Sequence, residues 1–274
     1  MEQEDRPLPE YDAPPVDEVV LGVEFPAIDG WRVPHAGLFW HDVRADYPKC
    51  EVRPPLPSQV EQFPGSVATA SAPTICLITD PNAIRCWFLD EAENNLIQIQ
   101  PDRFLRNWRQ VRGDEQYPRY ARLRPSFERD WTRFEEFLEG EGLPAARPIQ
   151  CEVTYINNIE RGNGWDSFSD LANVTSLWAG GGDQRFLQGP ESANMELSYT
   201  MEEGTARLRV ALNHAIRIRD NKEVIQLQLI ARGKPASSST SDVLAWMDRG
   251  RAWIVQAFTD LTTPAMHKIW RRKV

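Results

Sequence analysis

Two stretches of the sequence set arginine beside aromatic or amide side chains at spacings that could do chemistry. The first is Asp102, Arg103, Asn107, Trp108 and Arg109, followed by Tyr117, Arg119 and Tyr120. Guanidinium groups interleaved with rings can stack on bases, clamp anions or anchor a protein interface. Arginine stems lying over rings at a half-exposed sheet end produce the same pattern for structural reasons alone. The second stretch is Arg207, Arg209, Arg217 and Arg219, alternating with Leu208, Val210, Leu212, His214, Ile216 and Ile218; Gln226 and Gln228 follow on the next segment. Period-two alternation puts these arginines on one side of a strand. With the two glutamines they predict a polar, locally basic sheet face, which is either a docking surface or the solvated side of a one-sided sheet.

Strings that would announce catalysis are absent. The sequence has no G-x-S-x-G nucleophile elbow. Gly180-Gly181-Gly182-Asp183 is not followed by the Lys-Ser/Thr that a phosphate-binding loop requires. Asp102 and Glu152 come without an E-x-K string, so they do not define a metal-dependent nuclease. His35 and His41, with Asp42 beside the second, are six residues apart and do not share a helix face; surface or capping roles are expected of them. His214 falls on the apolar side of its strand, where a satisfied histidine is the ordinary case. Cys50, Cys76, Cys86 and Cys151 form no C-x-x-C pair and have no zinc-like spacing to histidine. No catalytic residue, metal or cofactor is therefore assigned. An enzyme remains as an alternative only through residues distant in sequence, such as His35, Asp102 and Arg119.

The elements that must position these residues alternate between the two periods. Residues 1–15 hold four prolines and read as an extended acidic lead-in. Val19, Leu21, Val23 and Phe25 alternate as a strand, and Phe39, Val43 and Tyr47 predict a helix over 36–47 closed by Pro48. Residues 53–75 are rich in Pro, Ser and Gly and read as an irregular connection, with one short strand at 58–63. Strands follow at 84–89 and 96–100, the second continuing past Pro101 to Trp108. A helix capped by Ser126 carries Phe127, Trp131, Phe134 and Leu138. The second half repeats the order: a strand at Cys151–Tyr155, a helix at 165–178, and strands through Met195–Met201, Leu208–Ile218 and Ile225–Leu229. A long helix after Ser237–Ser241 and a short one capped by Thr263 complete it. The fold expected is α+β: two similar β-α-β-β-β-α halves, 16–146 and 147–274, with antiparallel sheets and helices on one face. That is the architecture of a helix-grip or TATA-binding-protein-like saddle, and it carries no function by itself.

Several strings, taken together, resemble a sporadically distributed family of uncharacterised bacterial proteins. They are Pro14-Pro15-Val16-Asp17-Glu18-Val19 with Leu21-Gly22-Val23-Glu24-Phe25, Gly37-Leu38-Phe39-Trp40, Pro54-Pro55-Leu56-Pro57, and Leu96–Gln100 with Asp102-Arg103-Phe104 and Asn107-Trp108-Arg109. Tyr117-Pro118-Arg119-Tyr120, Glu152–Asn157 and Phe258–Thr262 complete the set. The resemblance implies no activity, cofactor or site residues. Its patchy distribution implies association with mobile or defence genes, including toxin–antitoxin modules.

Charge and composition narrow the partners. The chain of 274 residues carries a formal net charge of −9. Residues 1–18 hold seven acidic groups against Arg6, a net −6 that leaves about −3 for the rest. An acidic chain disfavours non-specific nucleic-acid binding, which depends on phosphate neutralisation, yet a local basic surface is compatible with it. No run approaches the roughly 18 apolar residues needed to span a bilayer, and the N-terminus lacks the basic and apolar regions of a signal peptide; a cytoplasmic location without membrane contact is expected. Ten tryptophans and the Arg/aromatic clusters, with no catalytic string, predict a non-catalytic protein that binds a protein partner. A nucleic-acid or nucleotide binder using the same face is the alternative.

Overall fold

The computed structural model describes residues 7–61, 84–179, 186, 189–201 and 204–273. Strand alternation builds its frame. In β1 (Val16–Glu24), Val19, Leu21 and Val23 are buried on one side, while Glu18, Val20, Gly22 and Glu24 face the other. The same two-sidedness runs through β2 (Lys49–Arg53), β3 (Arg85–Leu89), β4 (Asn95–Gln100), β5 (Arg103–Arg109), β6 (Gln150–Glu160), β7 (Asn194–Met201), β8 (Ala206–Arg217) and β9 (Lys222–Gly233). These strands form a single sheet in the order β2-β3-β4-β5-β1-β6-β9-β8-β7, with every pairing antiparallel. β1 and β6 lie side by side near its middle and join the segments 16–146 and 147–274 into a continuous sheet.

The helices are α1 (Val33–Val43), α2 (Tyr120–Gly140), α3 (Leu171–Val174), α4 (Thr240–Leu261) and α5 (Pro264–Ile269). α2 packs on β5, and α4 packs on β6 and β9. Phe104 of β5 meets Phe127, Trp131 and Phe134 of α2. Phe39 of α1 reaches Phe88 of β3 and Phe134, so this helix shares the apolar layer. No helix among the described residues is long and apolar enough to cross a membrane.

Several local expectations change. α1 begins at Val33 rather than 36 and ends at Val43. α2 begins at Tyr120, not after Ser126: Pro125 lies inside the helix, and the Ser126 hydroxyl donates to the carbonyl of Arg122. A proline this close to a helix start leaves one carbonyl unpaired but does not end the helix. Pro101-Asp102 closes a hairpin between β4 and β5, so these are two paired strands rather than one. β2, which the sequence did not suggest, lies at one edge of the sheet. The helix expected over 165–178 shrinks to a 3-10 turn at Phe168–Asp170 and the four residues of α3. Ile216, at the end of β8, and Ile218, past it, are exposed rather than part of the apolar set. The strand expected at 58–63 is not formed in its described part, to Glu61; Cys76, Gly180, Gly181, Gly182 and Asp183 lie outside the described residues. Tyr11, from the lead-in, is buried against Phe258 and Trp270, and Asp12 and Ala13 pair with the backbone at Arg271 and Trp270.

One close approach fixes how α4 meets the sheet. A Cβ on Gly233 would lie 2.6 Å from Ala206 Cβ and 2.9 Å from Trp246 Nε1. The alanine methyl is held by the β8–β9 ladder and cannot yield. Gly233→Ala is expected to cost about 1–3 kcal/mol in chemical denaturation, as overpacking does. A neutral effect would show that the contact relaxes freely.

Candidate functional site

β5 divides the first cluster instead of gathering it. Arg103, Asn107 and Arg109 point to the helix-free face, and Trp108 points to the helical side, where it packs on Tyr117. Arg103 is buried in an ion pair with Glu24 at 2.8 Å and donates to the carbonyl of Pro57. Asn107 is buried too, accepting from Gln98 Nε2 and donating to Glu18 Oε1. Tyr117 and Arg119 lie past the end of β5, beside the start of α2; Arg119 donates to the carbonyls of Tyr11 and Asp12.

The second cluster does share the helix-free face. Arg207, Arg209, Gln226 and Gln228 stand there together through the β8–β9 register, with Gln226 bonded to Asn158. Its arginines are matched within the chain. Arg207 Nη1 lies 2.8 Å from Glu61 and Arg209 Nε 2.6 Å from it. Arg217, at the far end of β8, pairs with Glu160 and Asp220, each at 2.5 Å.

Glu61 arrives on a strap that sequence reasoning missed. Pro54, Pro55 and Pro57 favour an extended chain without strand-ladder donors, so side-chain amides hold it. Leu56 exchanges two 3.0 Å hydrogen bonds with the Gln100 amide on β4. Arg103 on β5 reaches the carbonyl of Pro57, and Gln150 on β6 donates to Gln59 and accepts from the Glu61 backbone N–H. The strap therefore crosses the strands from β4 to β8 on the helix-free face. Glu, Gln and Arg at strand ends, facing a proline-rich segment, were the only signal available.

Sequence reasoning also missed Trp87. On this same face its half-buried ring has the guanidinium carbons of Arg53, Arg85 and Arg109 at 4.7, 5.4 and 5.2 Å from its centroid. Strands β2, β3 and β5 supply the three cations and β3 the ring. Trp87 Nε1 and Arg85 Nη1 both donate to Gln98 Oε1 at 2.8 and 2.9 Å, which fixes the ring. Arg53 pairs with Glu51, whereas among the described residues Arg85 and Arg109 have no carboxylate within ion-pair distance; Glu18 and Glu93 face Arg109 from farther off. Burial and the neighbouring Arg53 and Arg103 lower the Arg85 pKa, the mark of cations crowded together.

The three residues of the distant-site alternative do not converge. His35 caps α1 by accepting from the Arg32 backbone N–H, Asp102 sits in the β4–β5 turn, and Arg119 lies beyond the opposite end of β5. His41 is exposed, and His214 Nε2 stands 2.8 Å from Glu223. Burial pushes the Cys86 thiol up to about 11, far from a reactive thiolate. Among the described residues no three His, Cys, Asp or Glu side chains cluster so as to hold a metal ion. In comparisons with known proteins, no family model, curated protein or solved structure matches this chain.

Proposed function

We propose that this chain is a non-catalytic binding protein whose partner is another protein, docked on the helix-free face and anchored at Trp87. The observation that carries this reading is the trio of guanidinium groups around that half-exposed ring, two of them without an ion pair among the described residues. Trp and Arg are the side chains that dominate interface energetics. Cations without a direct ion pair among the described residues, on a face whose Arg207, Arg209 and Arg217 are already neutralised, call for an acidic segment in the partner. The same neutralisation weighs against nucleic acid along β8; a nucleotide or single strand at Trp87 itself is the second reading, favoured only by the unmatched Arg85 and Arg109.

Two wider proposals go with it. The chain belongs with the sporadically distributed bacterial family that it resembles, and its partner is the other member of a defence or toxin–antitoxin pair. The fold is a duplicated helix-grip saddle; in support, each half sets its first strand at the centre and its last strand beside it, in the orders β1-β5-β4-β3 and β6-β9-β8-β7.

Affinity capture from host lysate, with and without nuclease, tests the function. A stoichiometric protein that survives nuclease is expected, and Trp87→Ala should weaken its binding at least ten-fold while leaving the circular dichroism spectrum unchanged. A bound species that nuclease removes, or a protein held equally well by Trp87→Ala, would overturn the reading.

A further inference from the structure

The helical side of the sheet holds a pocket of about 280 Å³ between α4, β6 and the start of α2, closed by residues 9–16. That is just below the range in which proteins hold drug-sized molecules, roughly 300–1,000 Å³, which limits the ligand to a small one. Its walls are apolar: Val16, Ile254, Val255 and Phe258 line it with the ring of Tyr11. Its polar groups are mostly donors.

Arg251 is the central one. Its guanidinium stacks over Tyr120 at 5.3 Å, and its Nε is buried without a hydrogen-bond partner among the described residues. Among the described residues no carboxylate pairs with it: Asp248, one turn earlier, is taken by the Tyr120 hydroxyl and Arg124. The Nε itself is sealed off, so the donors this half-buried guanidinium can offer a ligand are its Nη groups, for which no acceptor stands among the described residues. Tyr117 and Tyr155 add to it. Their hydroxyls are 2.9 Å apart, and burial raises the pKa of both, keeping them neutral. One proton serves the bond between them, which leaves the second free to donate.

The backbone points the same way. α2, 21 residues long, starts at this pocket with no side-chain cap and no acidic residue in its first turn, so its positive end is unanswered. Its N-cap residue, Arg119, has φ 71° and ψ 151°, a region populated essentially by glycine and costing about 1–3 kcal/mol for other residues. Its guanidinium bonds to the Tyr11 and Asp12 carbonyls hold it there and draw the N-terminal segment over the pocket. Lys273 at the rim is paired with Asp12 at 2.7 Å, and among the described lining residues Glu10 is the sole side-chain carboxylate.

We propose that this pocket binds a small monocarboxylate with an apolar body, its carboxylate between Arg251 and the Tyr117–Tyr155 pair and its body against Phe258 and Ile254. A single unmatched guanidinium suits one negative charge better than a phosphate dianion, and the apolar walls exclude a fully hydrated ion. The inference is independent of the partner proposed for the opposite face.

Calorimetric titration with 3-phenylpropionate and octanoate, and with their neutral amides, tests it. At least one carboxylate is expected to bind with 1:1 stoichiometry, its amide at least ten-fold more weakly. Arg251→Met, which keeps the stem over Tyr120, should lose roughly ten- to hundred-fold in affinity, the worth of a charged hydrogen bond. Tyr117→Phe gives a second variant, with a loss of several-fold, should Arg251→Met fail to fold. Failure of both carboxylates to bind the native protein at millimolar concentration would overturn the proposal. So would amides that bind as well as acids, or undiminished binding by a folded variant.

Discussion

Asp130→Asn is expected to destabilise the protein by about 3–5 kcal/mol, the usual result of leaving a buried charge without its partner. Asp130 is fully buried in α2. Its Oδ2 accepts from the Tyr47 hydroxyl at 2.6 Å and from Arg106 Nε at 3.1 Å, and its Oδ1 from Arg129 Nε at 2.9 Å. Arg106 is 5% exposed and projects from β5 into the apolar layer. One carboxylate thus ties α2 to the sheet and to the segment after α1. The amide of asparagine keeps the shape but loses the charge and turns one acceptor into a donor, so Arg106 stays buried with no carboxylate and an NH2 is set against one of the two arginines. Urea denaturation followed by tryptophan fluorescence measures the loss, and the melting temperature should fall by about 10 °C. Asp130→Leu combined with Arg106→Met should regain much of it, because apolar replacements of a buried pair are often neutral. A single-variant cost below about 1 kcal/mol would show that water, not Asp130, satisfies Arg106.

That network explains why part of the fold was legible in sequence. The Phe127, Trp131, Phe134 and Leu138 stripe gives the buried side of α2 directly, and alternation in β1 and β8 assigns each face residue by residue. Periodicity says which side a residue faces but not what it meets there. Arg106 has the parity of Phe104 and Trp108, yet its partner stands 24 residues on. Boundaries failed where local rules conflict. Ser126 looks like an N-cap, but the N-cap lies seven residues earlier at Arg119, which is tied to Tyr11 and Asp12 across 107 to 108 residues of sequence and held in a conformation that propensity disfavours. β2 was missed because Lys49-Cys50-Glu51-Val52-Arg53 is short and mostly polar, as an edge strand is.

The candidate sites divide along the same line. Arg109 was legible as a member of an Arg/aromatic cluster, but the ring it lies over is Trp87, contributed by β3, rather than its neighbour Trp108. A strand turns adjacent side chains to opposite faces, so a cluster contiguous in sequence is necessarily split by the sheet. Tyr117 and Arg119 were singled out with it, and they line the pocket with Arg251, which lies more than 130 residues away and carried no sequence signal.

The strap sets the last expectation, and it depends on pH. Burial pushes the Glu61 carboxyl up, but Arg209, Arg207 and Arg232 more than offset it, and the group titrates below its ordinary value of 4.5. A carboxyl whose folded pKa is depressed contributes stability that is fully present above the unfolded value and is lost as pH falls through the folded one. Glu61→Gln is therefore expected to cost about 2–3 kcal/mol near neutral pH. That is less than a fully buried pair, because Arg209 and Arg207 are 46% and 26% exposed in their side chains and water takes up part of the loss. Below about pH 4.5 the gap between native and variant should close. The loss should also be local: with the carboxylate gone, the amide clasps of Gln100 and Gln150 and the Arg103 bond to the Pro57 carbonyl are left to hold residues 56–61. Hydrogen exchange in the strap should then quicken before that of β1 or β6 changes. If the native and variant curves stay parallel down to pH 3, the arginines are answered by solvent rather than by Glu61, and β8 would present its cations to a ligand after all.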